Sequence, residues 1–120
     1  MKYMYLILAP ETGKPPPAQL MEAIGKAAQE AAKSGRLVDM GGLAPSAMGA
    51  RVRLSKGKLS VTDGPFAETK EVIGGYAIFE FDTREAALQS ALDFMELHKL
   101  HGEGWEGVCE MRPMAGPDGL

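Results

Sequence analysis

Asp63-Gly64-Pro65-Phe66 is the segment of this chain whose residue types and spacing point most directly to a built site. An Asp side chain can hydrogen-bond the backbone two residues on, Gly takes positive φ at no steric cost, and Pro presets its own φ, so the four residues spell a rigid turn. As a pocket wall, that turn presents a carboxylate at Asp63, able to orient the loop or act as acid or base, and an aromatic face at Phe66. As plain structure, it ends a hairpin and plugs Phe66 into the core. Glu68, Lys70 and Glu71 follow closely, either as charges around a pocket or as a solvated loop. Arg51, Arg53 and Lys58, just upstream, share the polar face of a hairpin with Lys56 at its tip. They suit an anion, the acidic second half of the chain, or an edge hairpin kept from aggregating by charge.

The remaining chemistry-bearing residues are few. His98 and His101 stand three apart near the end of a helical pattern, where a positive imidazole favours the helix C-terminus. A general base needs a second group in hydrogen-bond reach, and a metal site needs three or four converging ligands; the spacing here shows neither. Cys109 is the single cysteine, so no intramolecular disulfide forms, and a reducing cytoplasm is the expected location. No phosphate loop, dinucleotide fingerprint or nucleophile elbow occurs, and no cofactor is expected.

Charge narrows the partners. Thirteen Lys and Arg against sixteen Asp and Glu give a net charge of −3, which provides no global attraction for nucleic acid. Residues 1–60 carry nine basic and four acidic side chains and residues 61–120 four and twelve, a split of +5 against −8. The apolar run Tyr3 to Ala9 is too short for a membrane span and stops at Pro10-Glu11, so it reads as a strand and neither a signal peptide nor a membrane partner is expected.

Seven segments must position these groups. In the first strand Tyr3, Tyr5 and Ile7 alternate with Met4, Leu6 and Leu8, so both faces are apolar and the strand is central. Leu20, Ile24, Ala27 and Ala31 recur at helical spacing over Pro17 to Ser34, and Gly35 is a natural stop. Leu37 to Leu43 reads as a strand in which Gly41-Gly42 offers a bulge. Met48 to Thr62 reads as a hairpin. With Lys56-Gly57 as its two-residue loop, Leu54 faces Leu59 and Val52 faces Val61 on an apolar face, while Arg53 faces Ser60 and Arg51 faces Thr62 on a polar one. Gly74 to Phe81 is a strand apolar on both sides. Asp82 is the expected cap of a second helix, with Glu85 completing a capping box and Leu88, Ala91, Leu92 and Met95 as its buried stripe. The last strand spans Trp105 to Arg112.

With 120 residues the chain has material for one domain, expected over residues 1–114 with a tail at 115–120. The order β-α-β, inserted hairpin, β-α-β describes an α+β, ferredoxin-like fold with an antiparallel sheet. Two helices cover one face of such a sheet only. The two-sided apolar strands therefore predict a homodimer whose sheets face each other across a two-fold interface.

Val61-Thr62-Asp63-Gly64-Pro65-Phe66-Ala67-Glu68-Thr69-Lys70-Glu71 followed by Gly74-Gly75-Tyr76 resembles the signature of the DGPF proteins of the YCII-related domain family. The resemblance extends to the opening Met1-Lys2-Tyr3-Met4, the Val52-to-Val61 hairpin and the closing Glu110-Met111-Arg112-Pro113-Met114. It implies a bacterial protein with a ferredoxin-like fold in a dimeric α-β barrel arrangement and a cleft near the signature loop. Through the association of some DGPF proteins with extracytoplasmic-function sigma factors, it also implies a regulatory module as one function. A degradative enzyme of the dimeric α-β barrel superfamily is another. The related YCII group resembles an enzyme through a histidine on its first helix and a distant aspartate; no histidine precedes His98 in this sequence, so that dyad has no match.

The leading expectation is a small polar or anionic ligand held at the signature loop by Arg53, Asp63, Gly64, Pro65, Phe66, Glu68 and Lys70, with no metal. Asp63 is the one candidate for acid or base chemistry.

Overall fold

The computed structural model describes residues 1–66 and 69–117. Its elements run β1 (Lys2–Ala9), α1 (Ala18–Lys33), β2 (Leu37–Gly42), a 3-10 turn at Ser46–Met48, β3 (Ala50–Ser55), β4 (Lys58–Asp63), β5 (Val72–Glu80), α2 (Arg84–His101) and β6 (Val108–Pro113). Four strands form one sheet in the order β2-β5-β1-β6, all pairs antiparallel, and β3 pairs with β4 as a separate hairpin. This α+β architecture is compatible with a ferredoxin-like fold. β1 and β5 are the two central strands, as their two-sided apolar pattern requires. Among the described residues no helix is long and apolar enough to cross a membrane.

Local signals placed most elements. α1 ends in a left-handed Gly35 at φ 77°, whose N–H donates to the Ala32 carbonyl while Arg36 N–H donates to that of Ala31, a Schellman stop. The hairpin register is the one the apolar pattern dictates: Leu54 opposite Leu59, Val52 opposite Val61, Arg53 opposite Ser60. Lys56 and Gly57 both take positive φ, the geometry a two-residue hairpin loop needs to match strand twist.

Three expectations are corrected. Gly41-Gly42 is not a bulge; the irregularities in the ladder fall between Leu37 and Asp39 and between Ile7 and Leu8. Gly41 instead lies beneath the Tyr76 ring, where an added Cβ would sit 3.1 Å from Tyr76 Cε1. The cap of α2 is Thr83, not Asp82: Thr83 Oγ1 accepts from Ala86 N–H at 3.1 Å, so Glu85 falls one position short of completing a capping box. Nor is the buried stripe of α2 the one read from its leucines. Ala87 is fully buried and Ala91 nearly so, while Leu88 and Leu92 are 40% and 57% exposed. The small residues let the helix approach closely enough for the Tyr5 hydroxyl to donate to the Ala87 carbonyl at 2.6 Å, which sets the helix's rotation.

The core lies between the helices and one face of the sheet: Tyr3, Tyr5, Ala77, Phe81, Ala87 and Ala91, with Met40, Phe79, Cys109 and Met111 packed against them. Tyr5 meets Phe79 edge-to-face at 5.2 Å. Burial pushes the Tyr5 phenol up to about 12. On the opposite face, Met4 pairs with Ile78 and Leu6 with Tyr76, and neither helix covers them.

Candidate functional site

Past β2 the chain meets Pro45, cannot continue as strand, and winds into the 3-10 turn Ser46–Met48 before entering β3 at Ala50. The far end of the hairpin returns to this turn. Gly64 N–H donates to the Gly49 carbonyl at 2.9 Å, and Gly64 lies so close to the Ser46 carbonyl that a Cβ there would overlap it. Only glycine fits that approach. The Gly64–Pro65 peptide bond is cis.

Ser46 ties three segments together. Its N–H donates to Glu11 Oε2 at 2.8 Å, its hydroxyl donates to Glu11 Oε1, and its Oγ accepts from Phe66 N–H at 3.2 Å. These two hydrogen bonds to the charged form hold the Glu11 carboxyl below its usual range. The Phe66 ring lies 4.0 Å beneath the Arg51 guanidinium, whose Nη2 donates to Thr69 Oγ1 at 2.7 Å. Thr69 N–H in turn donates to the Phe66 carbonyl, closing the signature loop on itself.

A cleft of about 590 Å³ opens against this assembly. Leu8, Leu43, Met48, Phe66, Val72 and Ile73 give it an apolar lining, with Ser46, Arg51 and Glu71 as polar groups. An apolar hollow with a few fixed polar groups is the usual make-up of a small-molecule site.

Among the residues expected at the site, Phe66 lines the cleft, and half-buried Gly64 sets the loop against the turn. Asp63 is exposed at the end of β4, opposite Ala50, and does not line the cleft. Pro65 and Lys70 are exposed and do not line the cleft. Glu68 lies outside the described residues. Arg53 points from the hairpin's polar face two residues farther from the body than Arg51, and it too is exposed and absent from the lining. Arg51 takes the place expected of Arg53. Both share the polar face, and only distance from the hairpin base separates them, so side-chain alternation does not choose between them. Glu11 and Ser46, 35 residues apart, carried no local signal at all.

The histidines sit elsewhere. His98 is buried at 6% exposure between Phe94 and Trp105, with ring centroids 4.8 and 4.5 Å away, and its Nδ1 faces the Phe94 carbonyl at 3.0 Å. It lines a second, smaller hollow of about 410 Å³ with Met95, Lys99 and Trp105, which none of the described signature-loop residues lines. Cys109 is half-buried on the core side of β6, and burial pushes its thiol up. Among the described residues no group of His, Cys, Asp and Glu is arranged to hold a metal ion.

The chain is 30% identical over 97 residues to the uncharacterized protein R00369 of Rhizobium meliloti (strain 1021), an alignment covering 81% of this chain and 74% of that protein. The sequence profile of the YCII-related domain matches residues 1–94, a span that takes in β1, α1, the 3-10 turn, the hairpin, the signature loop and most of α2. The chain belongs to the YCII-related domain family.

Proposed function

We propose that the cleft at the signature loop binds a small molecule with a compact apolar body and an anionic or hydroxylated head. The observation that carries this is Arg51: a guanidinium seated on the Phe66 ring at 4.0 Å, pinned by Thr69 and standing, with Ser46 and Glu71, in the wall of a largely apolar hollow. A cation fixed in this way has already lost the rotamer freedom that binding would otherwise cost it. Leu8, Leu43 and Ile73 would take the apolar part of the ligand, and Ser46, held by Glu11, keeps the loop in the orientation that forms the wall. No arrangement among the described residues favours a sigma-factor docking module or a degradative enzyme over ligand binding.

The test is a thermal-shift panel of small carboxylates and phosphate esters with short aliphatic or aromatic bodies. A ligand present at a hundred times its Kd adds about 2.7 kcal/mol, which for a domain of this size raises Tm by roughly 10 °C. Arg51→Met should abolish the shift, measured against that variant's own unliganded Tm. A flat response to every compound would overturn the reading.

The working unit is proposed to be a homodimer joined through the outer faces of the two sheets. Met4, Leu6, Tyr76 and Ile78 form an apolar strip there that neither helix reaches.

A further inference from the structure

The hairpin carries the most exposed apolar surface of the molecule. Val52, Leu54, Leu59 and Val61 share one of its faces and are 68–73% exposed, and Met48 at its base is exposed still further. Two strands pair only with each other here, and an isolated two-stranded ribbon is marginal in water. Its opposite face carries Arg51, Arg53, Lys58, Ser60 and Thr62. A ribbon with one polar and one wholly apolar face is patterned to be covered on one side.

The area of the chain says how large the cover is. A compact monomer of 12.8 kDa exposes about 6,300 Å², whereas this chain exposes 8652 Å². The surplus of roughly 2,400 Å² exceeds the ~800 Å² that each partner contributes to a standard interface and reaches the range of obligate homodimers. Shape agrees. The radius of gyration is 16.1 Å, against about 13.6 Å for a compact chain of this length. The thinnest dimension is 19 Å, room for one sheet and one helix layer only.

We infer that the β3–β4 hairpin is an arm that seats its apolar face on a second copy of this chain, at the margin of the sheet-to-sheet interface. The inference rests on the homodimer proposed above and adds to it the element that grips. In a two-fold pair each arm lies on the other copy, so both are buried by one operation and the assembly closes. The basic face of the arm then faces solvent. Because β3 begins directly after Gly49 and β4 ends directly before Gly64, the arm is joined at both ends to the turn and loop that form the cleft wall. Seating the arm therefore fixes the position of Arg51 and Phe66, and the cleft takes its final shape only in the pair.

Sedimentation of the full chain at micromolar concentration should give twice 12.8 kDa. Val52→Asp/Leu59→Asp should weaken association at least 100-fold while Trp105 fluorescence, which reports on the body, shows the fold retained. Should the Asp pair lower the folded yield, Val52→Thr/Leu59→Thr keeps β-forming residues and should still weaken association at least 10-fold. Lys56→Ser/Lys58→Ser, on the loop and polar face, should leave it unchanged. Pairs that dissociate on the lysine changes and not on the apolar ones would overturn the arm. So would a dimer indifferent to all three double substitutions, although it would leave the sheet-to-sheet homodimer standing. A wild-type monomer would end both.

Discussion

The β1–β5 pair and the β3–β4 hairpin are both antiparallel ribbons with apolar residues directly opposed, yet they meet opposite fates. On β1 and β5 the pairs Tyr3–Phe79 and Tyr5–Ala77 sit under α1 and α2 and form the core. On the hairpin Val52–Val61 and Leu54–Leu59 face open solvent. The local pattern is equally strong in the two places. What differs is connectivity: β5 leads into a helix that folds back over it, whereas each hairpin strand leads only into a tight turn or into the cleft loop. Side-chain alternation makes a face apolar, and only the chain's path decides whether the same chain covers it.

The comparison breaks if the two ribbons respond alike to substitution. Tyr5→Ala, at 2% exposure in the parent, should lower unfolding free energy by about 3–5 kcal/mol in a denaturant titration. Alkaline pH should act next. The folded phenol titrates near 12 and the unfolded one near 10.0. Between those values the unfolded chain releases a proton that the folded chain keeps, so stability is complete below pH 10 and falls as pH rises toward 12, by an amount on the order of 2 kcal/mol. Tyr5→Phe should flatten that decline, and an unchanged slope would place the titration elsewhere. The smallest effect belongs to the hairpin. Val52→Thr, measured at a dilution where the chain is single, should change unfolding by no more than about 0.5 kcal/mol. A loss comparable to that of Tyr5→Ala at the same dilution would mean the hairpin is packed within its own chain.

Most of the fold was legible because its signals are local. Lys56-Gly57 sets the hairpin loop, the Leu–Val alternation sets its register, Gly35 stops α1, and two-sided apolar strands fall at the sheet centre. α2 was legible as a helix but not in its rotation. Leu88 and Leu92 outweigh Ala87 in hydrophobicity, and the reason Ala87 faces inward lies 82 residues away, in the Tyr5 hydroxyl that needs its carbonyl. The cleft divides the same way. The Asp63-to-Phe66 turn announces a rigid loop and Phe66 is its wall, whereas the exposure of Asp63 and the choice of Arg51 over Arg53 depend on how the hairpin base meets the body.

The sequence by itself determined the elements, the register of the hairpin and the presence of more apolar surface than two helices cover, because turn chemistry and side-chain alternation act over a few residues. Only the tertiary structure decided that Glu11, Ser46 and Phe66 meet to hold a loop, that Arg51 stands in the cleft wall, and that the hairpin's apolar face stays exposed on its own chain. Those contacts join residues up to 35 positions apart through packing of the whole body, and no short-range preference encodes them.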